Sequence, residues 1–366
     1  MDRRYDIDWL RVIAIGLLLI YHVAIGFQPW GIMIGFITNE ESWPSLWLPM
    51  AMLNIWRIPF LFFVSGMGVY FAMQQRSWRD LLKERALRIL LPYVFGTFCI
   101  FPISVALWQY YNRLDISYAF NPGHLWFLGN IFSYVLILMP LLYYLKRNKE
   151  GAFVLVLRKI FSHPIGLLTI TALFVIEALV LKPFPYEMYA MTWHGFALGF
   201  LAFLSGFCLV LAGQPFWNML LKWRWIFPIL AVAGFIVRVL LGVKVPVYLL
   251  VAESHAWIFS CFAFGYRYLN HRGKTLSYLS EAAYPVYILH MLFLYAGSIL
   301  IFPLQLPVQL KFVLLLMITV IGCFGTYEVI KRVKFLRPLF GLKLSSSATR
   351  KQTNTPLQMG TAERIS

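Results

Sequence analysis

Residues 9–27, WLRVIAIGLLLIYHVAIGF, form an apolar run long enough to cross a bilayer, yet they carry Arg11 near the start and His22 deep inside. At a rise of about 1.5 Å per residue, Arg11 and His22 stand roughly 16 Å apart along a helix, about half of a 30 Å hydrocarbon core. A cation therefore sits near one face and an imidazole at mid-depth. Each costs at least a few kcal/mol in lipid, so both are expected to face the bundle interior or a water-filled cavity.

The rest of the chain repeats the pattern. Of its 366 residues, 60% are apolar and only 13% charged, where a soluble protein carries about 25% charge. Mean hydropathy is +0.71. The apolar runs are continuous rather than alternating, which predicts an all-α polytopic membrane protein rather than a barrel. Ten spans are expected, at 9–28, 47–73, 89–110, 124–145, 164–181, 193–213, 225–243, 253–270, 278–302 and 308–330.

With the N-terminus in the cytoplasm, the segments on that side hold 24 of the 32 Lys and Arg, as the positive-inside rule requires. Both termini are thus expected to be cytoplasmic. The same distribution explains the net charge of +17 by topology, so nucleic acid is not an expected partner. Cys99, Cys208, Cys261 and Cys323 lie apart inside apolar runs, without a CxxC pair, and read as packing residues rather than as a disulfide framework or zinc site. The charged N-terminus is followed by no small-residue cleavage pattern and reads as a retained first span. Residues 1–343 form one membrane domain, and the polar stretch 344–366 is expected to be a disordered cytoplasmic tail.

Several positions stand out along the chain. The loop QPWGIMIGFITNEESWPS after the first span could be the lip of a cavity, although its aromatics read first as an interfacial belt. Arg57 lies about ten residues into the second span, at a depth similar to His22, and requires a partner. Pro59 removes a backbone donor two residues later. Arg85 and Arg88, three apart where the third span begins, share a helix face and could grip phosphate. His124 and His194 read first as satisfied interfacial residues. Glu253 and His255 lie near the outer face, and His290 lies at mid-depth in SYLSEAAYPVYILHMLFLY.

Arginines near the inner face with a histidine at mid-membrane suggest an anionic ligand entering from the cytoplasm and a proton transfer at its far end. The ordered set of IDWLRVIAIGLLLIYH, RIPFLFFVSG from Arg57, RALR from Arg85, HLWFL from His124 and YPVYILH ending at His290 resembles the membrane acyltransferase 3 family over about residues 5–343. The compact chain and its closing FLRPLFGLK look most similar to the glucan-modifying subgroup, the glucans biosynthesis protein C type.

The resemblance implies O-acyl transfer from cytoplasmic acyl-CoA to a carbohydrate hydroxyl beyond the bacterial inner membrane, with succinyl and glucan implied by the subgroup. It implies that His22 is the catalytic base or acyl carrier, that Arg11 orients the donor, and that Arg85 and Arg88 hold the phosphates of acyl-CoA. Depth alone adds Arg57 as a site for an acidic acyl group or thioester oxyanion. Glu253 and His290 are candidates for acceptor binding, and no metal or haem is expected. Two other readings fit ten spans with buried charge: a transporter or flippase of an anionic small molecule or acyl carrier, and a haem electron carrier using deep histidines.

Overall fold

The structure is a computed structural model that describes residues 4–344, so all but the first residue of the expected tail lies outside the described residues. Every regular element among the described residues is helical. They are α1 (Tyr5–Ile25), α2 (Trp47–Gln74), α3 (Trp78–Tyr111), α4 (Trp126–Arg147), α5 (Ala152–Phe161), α6 (Pro164–Leu181), α7 (Trp193–Ala212), α8 (Gln214–Lys222), α9 (Ile226–Leu241), α10 (Val247–Tyr268), α11 (Lys274–Ile301), α12 (Val308–Arg332) and α13 (Leu336–Leu339). Nine of the described helices are long and apolar enough to cross a membrane, and α8 with α9, bent by 62°, make a tenth candidate.

Three helices differ from the expected spans for identifiable reasons. The span expected at 225–243 is α9, only 16 residues long, which reaches spanning length only together with α8. The span expected from Glu253 begins six residues earlier, at Val247. The Glu253 carboxylate accepts from Arg238 of α9 at 2.7 Å and 2.9 Å, so its charge does not end the apolar segment. Similarly, α3 starts at Trp78, where Ser77 Oγ accepts from the Asp80 amide, an N-cap that carries the basic stretch into the helix.

Contacts among loops and helix ends define two ends of the bundle. At one, the Tyr5 amide donates to Asn270 Oδ1, Lys149 donates to Gln74 Oε1, and Lys146 donates to the Met73 carbonyl. This is the basic end. At the other lie the loop 26–46 and the loop 182–192. Lys311 holds the first of these by donating to Asn39 Oδ1 at 3.1 Å and to the Phe302 carbonyl at 2.7 Å, and Tyr295 donates to the Gly35 carbonyl.

The bundle is organised around α2, which packs most extensively against α7. The two backbones touch through glycines in both directions. A Cβ on Gly66 would stand 1.9 Å from the Phe203 carbonyl oxygen, and one on Gly206 would stand 2.1 Å from that of Phe63. Small residues allow this approach where dispersion, and not the hydrophobic effect, holds helices together. Aromatic contacts add to the seam, with Tyr70 of α2 edge-on to Phe207 of α7, and Phe63 of α2 stacks on Phe174 of α6 beside it.

Gly206→Ala is expected to destabilise the protein by about 1–3 kcal/mol, as overpacking does, read as a lower melting temperature in detergent. Glu253→Ala is expected to cost about 3–5 kcal/mol, because it strands the Arg238 guanidinium. Unchanged melting in either variant would remove the corresponding contact from the packing account.

Candidate active site

A cavity of about 590 Å³ opens between the loops 26–46 and 182–192. Its wall brings together His22, Arg57 and His124, and its rim includes Trp30, Trp47 and Glu187. The Trp-rich loop is therefore a cavity lip, and the reading of its aromatics as an interfacial belt alone gives way to that position. The lip is held by backbone bonds from the Asn39 amide to the Gly26 carbonyl and from Trp43 to Phe27.

Behind the wall the histidines form a directed chain. His290 Nδ1 lies 2.7 Å from the Tyr287 carbonyl oxygen, and its Nε2 lies 2.8 Å from His22 Nδ1. A carbonyl only accepts, so His290 Nδ1 carries the proton. In the neutral ring, Nε2 is then the acceptor, and His22 Nδ1 must be the donor. His22 Nε2 is left with its lone pair at the cavity. The two rings are nearly parallel, 20° apart, with centroids 5.0 Å from each other, so direct contact leaves no gap for a planar group between them.

His124 belongs to the same knot. Its Nε2 donates to the Tyr287 carbonyl at 3.1 Å, while the Tyr287 hydroxyl donates to the His124 carbonyl. The HLWFL and YPVYILH segments are thereby tied in both directions. The His124 ring meets that of His290 edge-on with centroids 4.6 Å apart, and its Nδ1 is buried without a partner. This differs from the expected satisfied interfacial residue, because a histidine at the helix entrance is turned inward by Tyr287. The expectation does describe His194, whose Nδ1 meets Glu177 at 2.8 Å and whose Nε2 meets the Tyr186 carbonyl at 3.0 Å.

Arg57 is buried, yet its Nε and Nη1 have no hydrogen-bond partner. The guanidinium lies 3.7 Å over the Tyr21 ring, and among the described residues no carboxylate stands within ion-pair distance of it. A cation–π contact compensates part of the desolvation and leaves the positive charge available to the cavity. Pro59 shapes the surroundings. Its missing N–H frees the Ile55 carbonyl, which accepts from Tyr189 at 3.0 Å and from Ser254 at 2.9 Å. One proline thus docks both the loop 182–192 and α10 beside Arg57.

The other expected residues are placed elsewhere. His290 stands behind His22 rather than on the cavity wall. Glu253 does not line the cavity and is paired with Arg238. Arg11 packs against α2 at Gly68 and lies 3.5 Å from Asp8. Arg88 donates to the Gly341 carbonyl and to Glu84, each at 3.3 Å, whereas Arg85 has a buried Nε without a partner. The π-helical segment Ala86–Leu90 begins directly after Arg85 and contains Arg88, so their three-residue spacing is not that of an ordinary α-helical face. Arg11 and Arg88 are electrostatic neighbours of Arg85, forming a second cationic group near the basic end and outside the cavity.

Sequence reasoning missed Tyr287, Tyr189 and Glu187 as parts of the site. Tyr287 lies three residues before His290, a spacing that puts both on one helix face. Nothing in the order of residues marks the tyrosine and glutamate of a loop 130 positions away from Arg57.

A multispanning helical bundle with a histidine-lined cavity is an integral membrane protein built for chemistry at depth. The acyltransferase 3 family model, described as an acyltransferase domain, matches residues 4–328. The chain belongs to this family and is a membrane acyltransferase. No curated protein and no solved structure matches the chain at a significant level.

Because Arg57 has no anionic partner to strand, Arg57→Met is expected to keep or raise the melting temperature, unlike Glu253→Ala. A loss above about 2 kcal/mol in denaturation would show instead that the guanidinium supports the fold.

Proposed function

We propose that this acyltransferase moves an acyl group from cytoplasmic acyl-CoA to a hydroxyl of an extracytoplasmic carbohydrate, with succinyl and glucan as the pair that the subgroup resemblance favours. The observation that carries the reading is the hydrogen-bond chain from the Tyr287 carbonyl through His290 to His22, because it leaves one imidazole lone pair facing the cavity. The basic-residue distribution favours placing both termini and the basic end in the cytoplasm of a bacterium. The His22 cavity then opens to the outer side of the inner membrane.

In this reading Arg85 and Arg88, with Arg11, hold the phosphates of acyl-CoA, and its extended arm covers the roughly 16 Å to His22. His22 Nε2 takes the proton of the acceptor hydroxyl as its oxygen attacks the thioester carbonyl. The carbon–sulfur bond breaks, the coenzyme A thiolate leaves, and the proton on His22 is available to it. His290 acts as a positioning residue: it accepts the Nδ1 proton of His22 and keeps Nε2 basic, as the third member of a triad does. Arg57 stabilises the carbonyl oxygen as it gains charge, or the free carboxylate of a dicarboxylic acyl group. Glu253 is not retained as an acceptor contact.

The test uses protein reconstituted in liposomes with succinyl-CoA or acetyl-CoA and glucans, with products read by mass spectrometry. His22→Ala is expected to fold and to lose roughly 10²–10⁴-fold in rate. His290→Ala is expected to lose about 10–100-fold, as orienting residues do. Full activity in His22→Ala would overturn the assignment of the base, and acylation of a non-carbohydrate hydroxyl alone would overturn the acceptor class.

A further inference from the structure

A second depression of about 420 Å³ continues sideways from the histidine cavity. The two share Ile34, Phe101, Gly123, Met191 and Tyr295 in their linings, so they adjoin one another. Beyond the shared wall the groove is lined chiefly by apolar side chains, including Val105 and Trp108 of α3 and Ala119 and Phe120 of the segment that follows.

That segment is unusual for a connection between membrane helices. After the turn at Asn112 and Arg113, residues 114–122 form neither helix nor strand and run back along the flank of α3. Pro102 lacks the N–H that would bond to the Phe98 carbonyl, and the Tyr118 hydroxyl donates to that oxygen at 2.9 Å. Gln109 adds two bonds to Ser117, each 3.1 Å. Alternate residues of the strap, Leu114, Ile116, Tyr118 and Phe120, are 51–68% exposed. Four large apolar side chains in a row are costly in water and favourable against a bilayer. A strap bearing these side chains suits a membrane surface, and a groove lined by its residues would then be entered from the lipid.

We infer that the groove holds the hydrocarbon tail of a lipid-anchored carbohydrate whose sugar hydroxyl is delivered to His22. The inference rests on the carbohydrate-acceptor reading above and names how that acceptor is presented. The donor is not the occupant, because its phosphates belong to the cationic group at the opposite end. An amphiphile with a hydrocarbon tail and a polar head matches an apolar groove that adjoins a cavity lined by Arg57, Glu187 and two histidines.

The test places the full chain in phospholipid nanodiscs. The probe is a farnesyl-phosphate-linked glucose with a diazirine on its terminal isoprene unit, compared with a water-soluble oligoglucoside. Photolabel on the wild type is expected within 101–108 or 119–121. The double variant Val105→Trp, Ala119→Trp fills the groove without altering a residue of the histidine cavity. It is expected to lower labelling there at least tenfold, and to lower the ratio of lipid-linked to soluble acceptor turnover at least tenfold. Label spread over other lipid-facing helices, or equal labelling of the groove by a diazirine phospholipid, would overturn the proposal. An unchanged turnover ratio in a folded variant would do the same. Should the double variant not fold, the wild-type label map decides. Groove labelling without acyl transfer to either acceptor would support the groove and remove the carbohydrate reading, whereas transfer to the soluble acceptor without groove labelling would remove the groove alone.

Discussion

Polar groups buried among membrane helices must find partners inside the protein, since lipid offers none. Glu253 meets Arg238, Glu177 meets His194, and Lys311 meets Asn39 and a backbone carbonyl. Each of these contacts holds two parts of the chain together. His22, His290 and His124 are joined in the same way, but their network ends in nitrogens without partners rather than closing on itself. Among the described residues Arg57 is the extreme case, with Nε and Nη1 unpartnered, no carboxylate within ion-pair distance and the guanidinium over the face of Tyr21. His124 and Arg57, both with partnerless nitrogens, meet at the cavity wall beside His22.

Proline supplies much of the cross-linking. A proline within a helix deletes one donor and frees the carbonyl four residues earlier. At Pro59 the freed oxygen of Ile55 takes Tyr189 and Ser254, which anchors a loop and a helix beside Arg57. At Pro102 the freed oxygen of Phe98 takes Tyr118, which anchors the strap. In both cases a local defect in a helix becomes a tertiary contact. The glycines of α2 and α7 act in the opposite sense, removing side chains so that two backbones can meet.

These contacts also divide the protein into two chemical regions. Arg11, Arg85 and Arg88 gather toward the basic end, whereas His22, His124 and Arg57 gather around the cavity at the other. Separation along α1 follows from helical rise alone. The pairing of His22 with His290 could be anticipated only as a similarity of depth, because depth is one coordinate and a hydrogen bond needs three. The same limitation let Glu253 stand as an acceptor contact, when its nearest cation was Arg238 on the preceding helix.

What the residues determined by themselves is the class of protein, the approximate spans and the depth of each polar group. Hydrophobic length and helical rise are properties of a single segment, so they can be read without knowing any neighbour. Membership of the acyltransferase family was legible for a related reason: its motifs are local strings in a set order. The tertiary structure decided which helices face each other, that Tyr287 binds His124 and orients His290, and that Pro59 seats Tyr189 beside Arg57. It also decided the course of the strap beside α3. Those outcomes depend on rotation of one helix about its axis relative to another, which is set by packing contacts between residues far apart in the chain.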